Sequence, residues 1–200
     1  MAIAGITEIA PMDYVTIDFE ASCLPRHGRS FPIEVGIADA KGARSWLIRP
    51  LTDWRAWDWT REALDLHGIS PEQLEQEGMP ADRVFAELDR AVGGRRLVAD
   101  SGIDGYWWDM LAKAAGRESA RPIEHVSAIL DALAVTSEDI FAAQRHADRL
   151  CPARHRAAND ALWLWTVLAK LEPRAGELPH PAYLPSLPNY EPRSMVLQNR

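Results

Sequence analysis

The 200-residue chain has no run of about eighteen apolar residues, so the sequence offers no helix able to cross a bilayer. Its N-terminus lacks the basic start and apolar core of a secretion signal, which points to a cytoplasmic protein. Cysteine is scarce. Cys23 and Cys151 are the only two, with neither metal-ligand spacing nor a disulfide framework, and read as reduced thiols. Internal repeats are missing as well. Positive charge is in deficit, with 22 Lys and Arg against 29 Asp and Glu and a net charge of −7. Nucleic-acid binders usually carry a positive footprint, so this balance argues against a general polyanion binder. It leaves room for an enzyme that grips one strand end. What is present is an apolar share of 47% and a charged share of 26%, the proportions of one folded domain with a sizeable core.

The strand signals come first. Tyr14 to Glu20 is rich in β-branched and aromatic residues. Phe31 to Ala40 alternates Ile33, Val35 and Ile37, and Arg44 to Arg49 is its expected hairpin partner across Lys41-Gly42. From Thr60 the pattern turns helical. Ser70-Pro71-Glu72-Gln73 starts a helix, with Ser70 capping, Pro71 in the first turn and Gln73 placed to reach back. Ala81 to Val92 is amphipathic, with Val84, Phe85, Leu88 and Val92 on one face, and Gly93-Gly94 ends it. Leu97 to Ala99 reads as a buried strand, Asp104 to Ala115 as a helix, and Ile123 to Ile129 as a fifth strand. Helices are expected at Ser137 to Leu150 and at Arg156 to Leu171. Six of the fourteen prolines fall between Pro173 and Pro192, so a domain over residues 1–172 is expected to carry a proline-rich tail over 173–200. Strands followed by strand–helix alternation describe an α/β fold, a mixed sheet with helices packed on it.

Asp18 and Glu20 stand two apart on the first strand, so both carboxylates project from one face while Val15, Ile17 and Phe19 project from the other. Two carboxylates about 4 Å apart repel by about 4 kcal/mol at an effective dielectric of roughly 20. A divalent cation resolves that conflict, and oxygen-only ligands favour Mg²⁺ or Mn²⁺. Asp104 follows the Leu97–Ala99 strand across a glycine-containing turn, where ligand-binding residues collect in open α/β sheets. Helix capping is the competing reading of Asp104, and Asp100 and Asp109 compete with it for a metal-binding role. His155 precedes the last helix and Asp160 lies about one turn inside it. An imidazole with a pKa near 6.5 is suited to take a proton at neutral pH.

These pieces, in this order, resemble the DEDDh exonucleases, a family of proofreading and RNA-trimming enzymes. The residues that carry the likeness are Ile17-Asp18-Phe19-Glu20-Ala21-Ser22, Asp100-Ser101-Gly102-Ile103-Asp104 and His155-Arg156-Ala157-Ala158-Asn159-Asp160-Ala161. Phe31-Pro32-Ile33-Glu34-Val35-Gly36 and Leu66-His67-Gly68-Ile69-Ser70 also look like segments of that family. The likeness covers roughly residues 13–171. It departs at Asp100-Ser101, where many members have His-Asn, and at Tyr106-Trp107-Trp108.

The resemblance implies a ribonuclease-H-like mixed five-stranded sheet flanked by helices, carrying a metal-dependent 3′→5′ exonuclease site. In that expectation Asp18, Glu20, Asp104 and Asp160 hold two divalent cations, Mg²⁺ or Mn²⁺, and His155 takes a proton from the attacking water. Glu20 shares in the catalysis, Ala21 and Ser22 grip the terminal nucleotide, and single-stranded RNA or DNA 3′ ends release 5′-nucleoside monophosphates. Two cations would bring the net charge from −7 to −3. The alternatives are a non-catalytic binding module on the same fold and a phosphodiesterase for small nucleotides. Arg145, Arg149, Arg154 and Arg156 surround the expected base and either face phosphate oxygens or balance local acids. Most of the eight tryptophans are expected to pack rather than stack on bases, and His67 to fix a loop.

Overall fold

The computed structural model describes residues 13–118 and 121–172, so the tail expected at 173–200 lies outside the described residues. Three antiparallel strands open the fold: β1 (Tyr14–Ala21), β2 (Pro32–Asp39) and β3 (Gly42–Leu47). Three helices follow, α1 (Arg61–His67), α2 (Pro71–Glu77) and α3 (Ala81–Val92). The chain then returns as β4 (Arg96–Ala99), α4 (Asp104–Ala114) and β5 (Ile123–His125). It ends in α5 (Ser127–Leu133), α6 (Ser137–Leu150) and α7 (Ala157–Leu171). The strand order is β3-β2-β1-β4-β5, with β4 parallel to both β1 and β5. This is the ribonuclease-H-like mixed sheet. Among the described residues no helix is long and apolar enough to cross a membrane.

Strand alternation sorts the two faces. Val15, Ile17 and Phe19 join Ile33, Val35 and Ile37 in one core layer, closed by Val84, Phe85 and Leu88 of α3 and Trp107 and Leu111 of α4. On the other side, Tyr14, Ala38 and Val98 meet Ala161, Leu164, Trp165 and Leu168 of α7 and Ile129 of α5. α6 packs outside α7 through Ala143, Ala147 and Val167. Each helical face matches the 3.6-residue spacing of its apolar residues.

Three local expectations need correction. The fifth strand stops at His125 instead of running to Ile129. Val126 N–H completes the ladder on Ala99 O at 2.8 Å, and the His125 ring accepts Ser127 N–H, turning the chain into α5. β3 lies two residues earlier than Arg44 to Arg49, because Arg49 N–H leaves the hairpin and donates to Met79 O at 2.8 Å. Ser70 does cap α2, accepting from Gln73 N–H, but the Gln73 side chain bonds forward to Glu77 and not back to Ser70.

One contact sets where α7 begins. Gly36 pairs with Asp18 and Glu34 with Glu20, so these four residues share the face that α7 covers. A Cβ at Gly36 would lie 2.2 Å from the Ala157 carbonyl carbon and 2.3 Å from Ala158 N. The helix backbone therefore rests directly on the strand, and only a residue without a side chain permits it. Beside it the buried Glu34 carboxylate accepts two guanidinium N–H groups of Arg156, at 2.9 and 2.8 Å, and the Ala157 backbone N–H at 3.1 Å. It thereby satisfies one of the donors that a helix start leaves unpaired. Gly36→Ala is expected to cost about 3 kcal/mol of stability, the upper range for overpacking, since the clash is with backbone. Urea denaturation of the two proteins measures it, and a loss below about 0.5 kcal/mol would contradict this account of the helix seat.

Candidate metal centre

β1 runs on beyond its pairing with β4, which ends at Thr16↔Val98. The carboxyl ends of these two strands leave a notch, and α7 closes it from above. Asp18 and Glu20 enter from β1, Asp100 follows β4 directly, Asp104 opens α4, and Asp160 comes from the first turns of α7. One carboxylate oxygen each from Asp18, Glu20 and Asp160 lie within 4.8 Å of one another, and the same holds for Asp18, Asp100 and Asp104. Glu20 and Asp104 are buried, whereas Asp18, Asp100 and Asp160 are half-buried.

The four carboxylates expected as ligands thus converge, and Asp100 joins them. Asp109, the other rival, is exposed on α4. The capping account of Asp104 fails, because α4 has no side-chain cap and the Asp104 Oδ2 atom is buried without any hydrogen-bond partner. A buried acceptor left alone costs about 1–3 kcal/mol, so it marks a place where a ligand belongs. Sets of three hard oxygens suit a divalent cation of the Mg²⁺ or Mn²⁺ kind.

The charges in the notch oppose one another. At 4.8 Å each pair of ionised carboxylates repels by about 3.5 kcal/mol at an effective dielectric of roughly 20. Burial, and then the charges of Asp104, Asp160, Glu20 and Asp100, push Asp18 well above the ordinary carboxylate range. Burial, then Asp160 and Glu34, do the same to Glu20, with Arg156 opposing. Asp104 is raised by burial and by Asp100, while a hydrogen bond from the Phe19 backbone pulls it down.

His155 and Asp160 form one unit. His155 has a left-handed backbone, φ 62°, which costs a non-glycine residue roughly 1 kcal/mol or more. Asp160 holds it there, its Oδ2 accepting the His155 N–H at 2.7 Å, while its Oδ1 accepts from Arg154 Nε. Arg154 in turn lies over the Trp163 ring, 4.3 Å from its centre. Burial and the Arg154 charge lower the His155 pKa from its ordinary 6.5, against Asp160, so the imidazole is neutral at pH 7.

Other expectations find different places. Ala21 ends β1 and is buried. Ser22 is wholly buried, and its hydroxyl accepts the Phe31 N–H at 3.2 Å, so the group is committed to the fold. Of the four arginines, Arg156 balances Glu34 and Arg154 balances Asp160, while Arg145 and Arg149 are exposed on α6. Buried His67, pushed down to about 4 by burial, fixes its loop by accepting Ile69 N–H at 3.0 Å. Trp46, Trp54, Trp107, Trp108 and Trp165 are buried, and Trp57, Trp59 and Trp163 are half-buried. By its sequence Glu34 is only part of a strand, yet it seats the helix that carries Asp160. A lone acid between Ile33 and Val35 was the available signal, since a charge among apolar neighbours needs a buried partner.

No family model and no curated protein matches the sequence. Solved structures do match. A full-length 3′-exonuclease superposes with a TM-score of 0.57 at 14% identity, over 79% of this chain and 80% of that one. The fold is that of the 3′-exonucleases. A 3′-exonuclease that recognises the 3′ end of the histone mRNA stem-loop gives 0.57 at 13% identity, over 79% of this chain and 63% of the other. Exonuclease I of E. coli, in a zinc-bound complex with single-stranded DNA, gives 0.52 at 14% identity over 81% of this chain. The chain spans 41% of that enzyme's length.

The raised carboxyls fix a pH dependence. They hold more protons folded than unfolded, so without divalent ions their contribution to stability is fully present below the unfolded carboxylate values, near pH 4, and is lost as the pH rises through the folded ones. Thermal unfolding in EDTA from about pH 4 to 8 should show this fall, reduced in Asp18→Asn and largely removed by saturating Mg²⁺. Identical profiles in EDTA and Mg²⁺ would count against a cation-binding notch.

Proposed function

We propose that this chain is a metal-dependent 3′→5′ exonuclease that removes 5′-nucleoside monophosphates from single-stranded RNA or DNA ends. The observation that carries the reading is the convergence of Asp18, Glu20, Asp104 and Asp160 in one notch of an exonuclease fold, with His155 beside it. Two divalent cations held there would polarise the scissile phosphate and lower the pKa of the attacking water, the chemistry of two-metal phosphodiester hydrolysis.

The chain's own groups do the rest. Asp18 belongs to both sets of three carboxylates and would help to hold both ions, with Asp104 in one set and Glu20 and Asp160 in the other. His155, its pKa lowered by burial and by Arg154, takes the proton of the attacking water on an imidazole nitrogen. The oxygen attacks phosphorus in line, the bond from phosphorus to the 3′ oxygen of the preceding nucleotide breaks, and that oxygen takes a proton from solvent to leave a 3′-hydroxyl. Ala21 and Ser22 would meet the terminal nucleotide by their backbone at and just after the end of β1, because the Ser22 hydroxyl is engaged with Phe31.

The test is hydrolysis of a labelled single strand in Mg²⁺ or Mn²⁺. Asp18→Asn should lose at least about a thousandfold in kcat/KM, the loss of several kcal/mol of charge stabilisation, with unchanged circular dichroism. Full activity in that variant would exclude the mechanism. The pH profile of kcat/KM should rise through a value below 6.5, the ordinary imidazole pKa, and His155→Gln should abolish that limb. A preference for dinucleotides over longer strands would favour a small-nucleotide phosphodiesterase working with the same residues.

A further inference from the structure

Asp100 is the residue by which this notch departs from a four-carboxylate site, and its place is not accidental to the fold. It is the first residue after β4, and its backbone carbonyl is close to the His125 Nε2 atom at 3.1 Å, at the end of β5. The backbone is therefore fixed from one side while the carboxylate lies on the other, beside Asp18 and Asp104. Without Asp100, the second set of three oxygens would shrink to a pair. With it, the two sets are equal in number and share Asp18. A second, independent observation lies in the same set. Asp104 is 1% exposed, and its Oδ2 has no hydrogen-bond partner.

The balance of charge points the same way. Four carboxylates neutralise two dications, and a fifth leaves one negative charge over. Arg154 supplies the matching positive charge. It is ion-paired with Asp160, 16% exposed at its side chain, and set over the Trp163 ring, a place where a guanidinium is weakly hydrated and well ordered. Five acids, two divalent ions and one guanidinium close the account.

We propose that Asp100 is a fifth metal-ligating carboxylate, completing with Asp18 and Asp104 the shell of one cation, with Arg154 as the counter-charge that makes the extra acid tolerable. The inference rests on the two-cation reading of the site. It makes one of the two binding sites more anionic, and so tighter for hard divalent ions, than Asp18 and Asp104 alone would be.

Mn²⁺ binding to the whole chain, followed by calorimetry and by the loss of free Mn²⁺ signal in electron paramagnetic resonance, tests it without recourse to activity. The wild type is expected to bind two ions. Asp100→Asn should weaken one of them by at least about tenfold and leave the other nearly unchanged. In EDTA the same variant should melt higher than the wild type, because a repelling charge has gone, and its Mn²⁺-induced rise in Tm should be smaller. Asp109→Asn, a charge change on the exposed face of α4, should do neither. Asp100→Ser, checked by circular dichroism, gives the same readouts should the asparagine variant fold poorly. Two ions bound as tightly by Asp100→Asn as by the wild type would overturn the proposal and leave the exonuclease reading intact. Equal weakening of both ions would overturn it too, since that is the mark of a distant charge and not of a ligand. A wild type that binds no Mn²⁺ would remove both readings together.

Discussion

Glu34 caps a helix that begins 123 residues later in the chain. Its buried carboxylate meets the Arg156 guanidinium in a two-pronged pair and takes the first free N–H of α7, while Gly36, two residues on, lets the helix backbone sit on the strand. No side chain at the helix's own start performs the capping. The start of α7 is therefore fixed by the sheet rather than by local sequence. Because Glu34 pairs with Glu20 and Gly36 with Asp18, the same contact sets the height of Asp160 above those two acids. The notch inherits its geometry from this seat. A buried ion pair of this kind adds little net stability compared with apolar packing, but removing one partner leaves an uncompensated charge that costs about 3–5 kcal/mol. Its value lies in registry.

The same face of the sheet then carries a conflict. Five carboxylates converge where one guanidinium is in direct ion-pair contact, and the aliphatic layer on the opposite face holds them together. Ile17 and Phe19 anchor β1 in a core closed by α3 and α4, so Asp18 and Glu20 cannot move apart without unpacking that layer. Repulsion worth several kcal/mol is set against apolar burial worth about 1.5–3 kcal/mol per large side chain. Stability spent in this way is the usual sign that a site is built for a ligand and not for the fold alone. The cations proposed for it would turn the repulsion into attraction, which couples binding to stability through the same residues that do the chemistry.

Much of this was legible in the letters, and the reason is periodicity. The Asp18–Glu20 spacing fixes a shared face on any strand, and the apolar alternation of Val15, Ile17 and Phe19 says which face is the core. The amphipathic run Ala81–Val92 is a helix that buries the four residues the spacing named, together with Ala81. Long-range pairings were not legible in that way. Nothing within a few residues of Glu34 says that Arg156 is its partner, and nothing near Arg154 says that it is committed to Asp160 instead of a phosphate. Asp100 and Asp109 stood as rivals of Asp104, and only the fold shows that Asp100 lies with Asp104 beside Asp18 while Asp109 is exposed on α4. Capping of Asp104, the plain account, failed for a reason that only coordinates give: the side chain points at β1, where the Phe19 backbone meets it. The fifth strand is present but ends at His125, because Val126 and Ile129 stand three apart, a helical spacing inside a short apolar run.

The five-residue separation of His155 and Asp160 has a physical basis beyond helical phase. A residue two positions ahead of the first turn needs its N–H satisfied, and a carboxylate on the fourth helical residue can curl back to do so. Asp160 makes that bond, and the bond stabilises the left-handed φ that aims His155 out of the helix axis. Its other oxygen anchors Arg154, whose charge helps to keep the imidazole neutral. One aspartate thus sets the backbone and the electrostatic partner of the proposed base, besides belonging to the carboxylate notch. Effects of changing His155, Arg154 and Asp160 cannot be additive, because the three share hydrogen bonds and charge within a single turn of chain. Loss of Asp160 would combine the loss of a proposed ligand with the misplacement of the proposed base, so the severity of that change measures the unit and not the residue.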